Sequence, residues 1–121
     1  MNALLVFIGG GLGSLMRYGI SMISSKYITS GFPIATLISN IFACLILGIV
    51  MLIVIPKLPE STWIHPLVVV GICGGFSTFS TFSAETLNLF QSGNTILGLF
   101  NIMTSVGTCI GILYMISSTA K

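Results

Sequence analysis

Four apolar runs, each long enough to cross a bilayer, account for nearly all of this chain. They lie at about residues 4–24, 33–55, 64–91 and 96–117. A spanning helix needs about 20 predominantly apolar residues, so each run is of span length. The connections are short, and nothing remains for a soluble domain. The expected fold is therefore all-α and integral to the membrane, a single four-span domain over residues 1–121. Composition agrees. Hydrophobic residues make up 55% of the chain and charged residues 5%, against roughly a quarter charged in soluble domains. The first run has the length of a secretory leader, but it lacks a basic start and carries Arg17, which marks a mature span. The net charge of +2 is too small to indicate nucleic acid.

Loop charges set orientation. In a four-span chain the N-terminus, the second loop and the C-terminus share one side, which carries Lys57 and Lys121. The other side carries Lys26, with Arg17 deeper in the membrane. So weak a bias permits insertion both ways up. It points to a dual-topology antiparallel homodimer, an inverted arrangement built from two copies of one chain.

The first span contains Gly9-Gly10-Gly11-Leu12-Gly13-Ser14. Gly9 with Gly13, and Gly10 with Ser14, lie one helical turn apart, a spacing that lets two helices approach closely. Arg17 near its end is either a structural anchor or a cation at a vestibule, since a charge at that depth must snorkel or meet a partner. The first loop, 25–32, leads to Pro33, which suits a first helical turn. Thr36 and Asn40 share a face of the second span. The Asn40 amide either bonds a neighbouring helix or offers its two donors to an anion. Two prolines, Pro56 and Pro59, end that span. Trp63 and His65 read as interface residues at the start of the third. In the fourth span Asn101, Ser105 and Cys109 step along one face, and Gly107 with Gly111 form a second close-packing pair. Cys44, Cys73 and Cys109 each fall within a span. Their odd number and spacing resemble neither a disulfide framework nor a metal motif, and each reads as a small packing residue.

The third span is the informative one. It holds Gly71-Ile-Cys-Gly-Gly-Phe-Ser-Thr-Phe-Ser-Thr-Phe-Ser-Ala-Glu85. Gly74-Gly75 followed by Ser77-Thr78 is a poor continuous helix, so a mid-span break is expected there. Irregular backbone at membrane depth survives only when buried in protein or lining a polar cavity. Freed carbonyls are hard ligands suited to a small cation such as sodium. Two antiparallel copies would let them converge on one structural ion. Beyond the break Phe79 and Phe82 share a helix face, Ser80 and Ser83 form a neighbouring row, and Thr81 and Glu85 lie one turn apart. A ring is electropositive at its edge, so two phenylalanine edges attract an anion without trapping it. Conduction requires that compromise.

In these residues the chain resembles the Fluc (CrcB) family of bacterial fluoride channels. The matching pieces are Gly9-Gly10 through Arg17-Tyr18, Gly31-Phe-Pro33 through Thr36 and Asn40, Gly71 through Glu85, and the polar fourth span. The Gly75–Phe82 signature is the most specific. The resemblance implies a dual-topology homodimer in the bacterial plasma membrane. Its two antiparallel pores would export fluoride passively. It implies pore roles for Asn40, Phe79, Phe82, Ser80, Thr81, Glu85 and Thr36, a polar track through Asn101 and Ser105, and a vestibule position for Arg17. It also implies a central sodium ion held by the carbonyls of Gly74 and Ser77. The chain departs from the family at Ser77, where threonine is usual, at Ala43, where glycine is common, and at Asn101, where tyrosine is frequent. Cys109 replaces a small residue.

Two other readings share the four-span form. A small multidrug transporter needs a carboxylate in its first span. The acids here are Glu60, in a loop, and Glu85, late in the third span. A subunit of an obligate heterodimeric fluoride channel would be inactive alone. Yet this chain keeps the asparagine and both phenylalanines. Nothing in the spans pairs a nucleophile with a base, cradles a phosphate or clusters metal ligands, so an enzyme is not expected.

Overall fold

A computed structural model describes residues 2–28 and 31–120. Lys121, used in weighing the loop charges, and positions 29–30 of the first loop lie outside the described residues. Among the described residues the structure is helical, with no strands. Four helical segments are long and apolar enough to cross a membrane: Asn2–Tyr27, Ile34–Lys57, His65–Gln91 and Thr95–Thr119. They overrun the sequence-predicted spans by a few residues at most ends.

The first segment is one helix, α1 (Asn2–Tyr27). The second, α2, begins as Ile34–Ile49, widens into π-helical turns at Val50–Val54 and ends at Ile55–Lys57. The widening has a local cause. Pro56 donates no N–H and its ring crowds the carbonyl four residues back, so the helix opens before it. Pro56 was expected to end the helix, but α2 runs two residues past the predicted limit, to Lys57. The third segment opens with α3, π-helical over His65–Cys73 and closed by the turn Gly74–Phe76. Ser77 (ψ 156°) and Thr78 (φ −151°, ψ 113°) are extended. Helix α4 (Phe79–Gln91) then follows. Of the stretch where the sequence placed the interruption, Gly74 and Gly75 are helical, and Ser77 and Thr78 are the residues that leave the helix. The turn to α5 (Thr95–Thr119) is a tight reversal. Asn94 N–H bonds Leu89 C=O and Gly93 N–H bonds Phe90 C=O. Gly93 takes φ +81°, which only glycine adopts freely.

Packing explains the glycines. A Cβ on Gly71 would lie 2.8 Å from the Gly9 Cα, and one on Gly13 would lie 2.7 Å from the Phe76 nitrogen. A Cβ on Gly75 would collide with the Gly10 carbonyl oxygen. So α1 and α3 touch backbone to backbone, and Gly75 is a close-approach residue more than a helix breaker. The expected packing role of Gly9 and Gly13 is borne out. Gly107 and Gly111 behave otherwise, since a Cβ on either would meet nothing within 4 Å. They form no close-packing pair within the chain. The buried centre comprises Ala43, Cys73, Phe76 and Phe82, with the polar Ser39 and Asn101 buried beside them. Most large apolar side chains on the outer helix faces are exposed, as lipid-facing surfaces require.

Candidate functional site

The extended pair Ser77–Thr78 creates a problem that neighbouring side chains solve. Where α3 stops and α4 begins, backbone donors and acceptors lose their helical partners. Asn40 on α2 supplies replacements. Its Oδ1 accepts from Thr78 N–H at 2.8 Å, and its Nδ2 donates to Thr78 C=O at 3.4 Å. Thr78 in turn caps α4, its Oγ1 accepting from Thr81 N–H at 3.2 Å. The Thr78 hydroxyl also donates to Thr81 Oγ1 at 3.0 Å and lies 3.3 Å from Ser80 Oγ. Ser77 Oγ donates back to Cys73 C=O at 2.8 Å. One consequence falls on Gly74. Its carbonyl would ordinarily accept from Thr78 N–H, which is bonded to Asn40. The Gly74 carbonyl thus lacks its helical donor, and its Cα faces open space. Hard oxygen donors of this kind fit a small cation.

The polar residues expected on a single path sort into two clefts, on either side of Thr78. A groove of about 280 Å³ is lined by Asn40, Phe79, Phe82, Cys44, Ser105 and Cys109, among others. Phe82 is 8% exposed and Phe79 is 79% exposed. Their ring centroids lie 5.7 Å apart at 42°, a tilted pair. A second cleft, of about 320 Å³, brings Arg17, Thr36, Thr81 and Glu85 together with Ser14 and Tyr18. There Thr36 Oγ1 donates to Glu85 Oε1 at 2.9 Å, while Glu85 Oε2 is buried without a hydrogen-bond partner. Glu85 also reaches a third cleft of about 460 Å³, walled by Pro33, Asn88 and Asn94. It therefore stands between an inner and an outer polar space.

Asn101 is placed differently from the other expected site residues. It is 1% exposed, donates from Nδ2 to Thr86 Oγ1 at 2.9 Å, and accepts from Ser105 Oγ at 3.3 Å. Thr86 passes its own hydroxyl hydrogen to Phe82 C=O at 2.7 Å. This network joins α5 to α4 behind Phe82, and Ser105 alone of the Asn101–Ser105 pair reaches a groove. Ser80 is exposed at the start of α4. In the sequence Thr78 stood out only as part of the expected break, and Thr86 not at all. A threonine two residues before a run of α4-facing hydroxyls is the one signal that could have marked Thr78 as a cap.

The fold and site define a multi-pass helical membrane protein whose polar side chains converge on an extended residue pair in the third span. A family model for CrcB-like protein, Camphor Resistance (CrcB), matches residues 4–117. The chain belongs to this family. A fluoride-specific ion channel FluC from Ruminiclostridium cellulolyticum is 43% identical over 110 residues, covering 91% of this chain and 85% of the relative. Fluoride-specific ion channels FluC from Coxiella burnetii (39% identical, 91% and 90% covered) and Shewanella pealeana (38% identical, 94% and 91% covered) are also similar. These relatives bear the name of a channel, and the reading of a non-enzyme in the cell membrane stands with them.

Proposed function

We propose that this chain is a fluoride-selective channel that lets fluoride leave the cytoplasm passively, as two antiparallel pores in a dual-topology homodimer with a central structural sodium. The observation that carries the reading is the groove of Asn40, Phe79 and Phe82 beside the extended Ser77–Thr78 pair, in a chain 43% identical to a named fluoride channel. Phe79 and Phe82 would meet the anion with their electropositive ring edges. Asn40 keeps one amide hydrogen beyond its bonds to Thr78, which is available to the ion. The Thr81 hydroxyl accepts from Thr78, so its own hydrogen is free to donate into the second cleft. Glu85 competes for the Thr36 hydroxyl and so keeps anion binding weak enough for exit. Arg17 supplies positive potential to that cleft.

We read Ser77–Thr78 as the mid-span break. The Gly74 and Ser77 carbonyls would hold sodium, and support for this is the Gly74 carbonyl deprived of its helical donor. When bound, the ion neutralises converging carbonyl dipoles and ties two copies together. The exposed Phe79 supports a partner surface across the groove. Fluoride efflux from liposomes containing this chain alone, run beside chloride, tests the proposal. Rapid fluoride loss without chloride loss or a proton gradient is expected. Efflux that appears only with a second gene product would favour an obligate heterodimer, and proton-coupled, saturable efflux would favour a transporter.

A further inference from the structure

The three cysteines are scattered in sequence, but the fold sets two of them on one groove. Cys44 on α2 and Cys109 on α5 both line the groove of about 280 Å³ that Phe79 and Phe82 also wall. Both are half-buried free thiols on the wall of one groove. Cys73 is buried and does not line that groove. We propose that Cys44 and Cys109 form a two-thiol site for a soft d10 cation of the silver(I), copper(I) and mercury(II) class.

The chemistry selects that class. Structural zinc takes four protein ligands. Among the described residues no group of three or more His, Cys, Asp or Glu side chains could hold a metal. A d10 cation of this class is satisfied by two sulfurs in line, and soft thiolates prefer such ions. The groove wall is largely apolar, with Val106 and Ile110 among its lining residues. On binding silver(I), each thiol releases one proton to water and two Ag–S bonds form, with no change of oxidation state. The filled site would occupy the groove, and blockage of fluoride by that route rests on the channel reading above.

Binding is tested without reference to flux. Cys73→Ala chain in detergent is titrated with silver nitrate, passed through gel filtration and assayed for bound silver and monodispersity. One silver per chain is expected. Cys44→Ser or Cys109→Ser in the same background should each weaken binding at least about a hundredfold, because the second sulfur no longer acts at a high effective concentration. Two silvers per chain, or tight binding retained by either single variant, would overturn the pair. Dibromobimane, which fluoresces strongly only after bridging two thiols, gives a second reading on the Cys73→Ala chain. Fluorescence that silver suppresses is expected, and its absence overturns the proposal. Silver bound at one per chain with fluoride efflux unchanged would leave the site standing and count against the groove as part of the ion path.

Discussion

Asn40 does two jobs at one residue, and they can be separated. Its carboxamide satisfies both backbone groups of the extended Thr78 and presents a spare hydrogen to the groove. Asn40→Ala leaves a buried N–H and C=O unpaired, which should cost about 1–3 kcal/mol of stability. Asn40→Asp retains the acceptor for Thr78 N–H but sets a negative charge against an anion. It should unfold later than Asn40→Ala in detergent melts and yet abolish fluoride efflux. Full efflux through Asn40→Asp would reduce Asn40 to a backbone clamp. Phe82→Ile keeps an apolar side chain in the 8%-exposed site while removing the ring edges. Efflux should fall about tenfold, the equivalent of one aromatic interaction, with oligomeric state unchanged. Unaltered flux would argue that the ring is packing only.

At the scale of elements, contact between α1 and α3 is set by glycines. Gly71→Ala would drive a methyl to 2.8 Å from the Gly9 Cα, so the helices must separate. Overpacking of this kind costs about 1–3 kcal/mol, and thermal unfolding in detergent should register it. Gly107→Ala adds a methyl to open space and should leave the stability of an isolated chain unchanged. Equal effects at both positions would sink this account. The α4–α5 seam is held in part by Asn101 and Thr86. A double-mutant cycle on Asn101→Ala and Thr86→Val should return a coupling of about 1 kcal/mol. That network explains why a polar stripe on α5 belongs largely to the interior.

For the whole molecule, the proposed sodium makes a prediction that side-chain ligation would not. Ser77 offers a carbonyl, while its hydroxyl is occupied with Cys73 C=O. Ser77→Ala should therefore keep sodium-dependent dimer stability, measured by light scattering in sodium against N-methylglucamine. Loss of that dependence would place the hydroxyl, and not the carbonyl, at the ion. The same measurement asks whether two copies associate at all, as the exposed Phe79 requires if its groove is to be closed.

Membrane insertion and helix number were legible because both are one-dimensional properties. Four apolar runs of span length, with few charges, admit no other solution once backbone groups must be satisfied within the bilayer. The Gly9–Gly13 packing face was legible for a similar reason, since one helical turn is a fixed spacing along the chain. Even the polar stretch from Gly71 to Glu85 announced that the third span is special. Tertiary structure decided the rest. It placed the extended residues at Ser77–Thr78, after the glycines, because Gly75 is needed against Gly10 and Asn40 is positioned to accept the orphaned Thr78 N–H. It set Asn40 and Ser105 on a phenylalanine groove, and Thr36, Thr81 and Glu85 on a cleft with Arg17. It buried Asn101 against Thr86 and set Cys44 and Cys109 on one groove. Periodicity along a chain tells which residues share a face. Which donor meets which acceptor depends on how helices cross, and that is settled only when distant parts of the chain pack together.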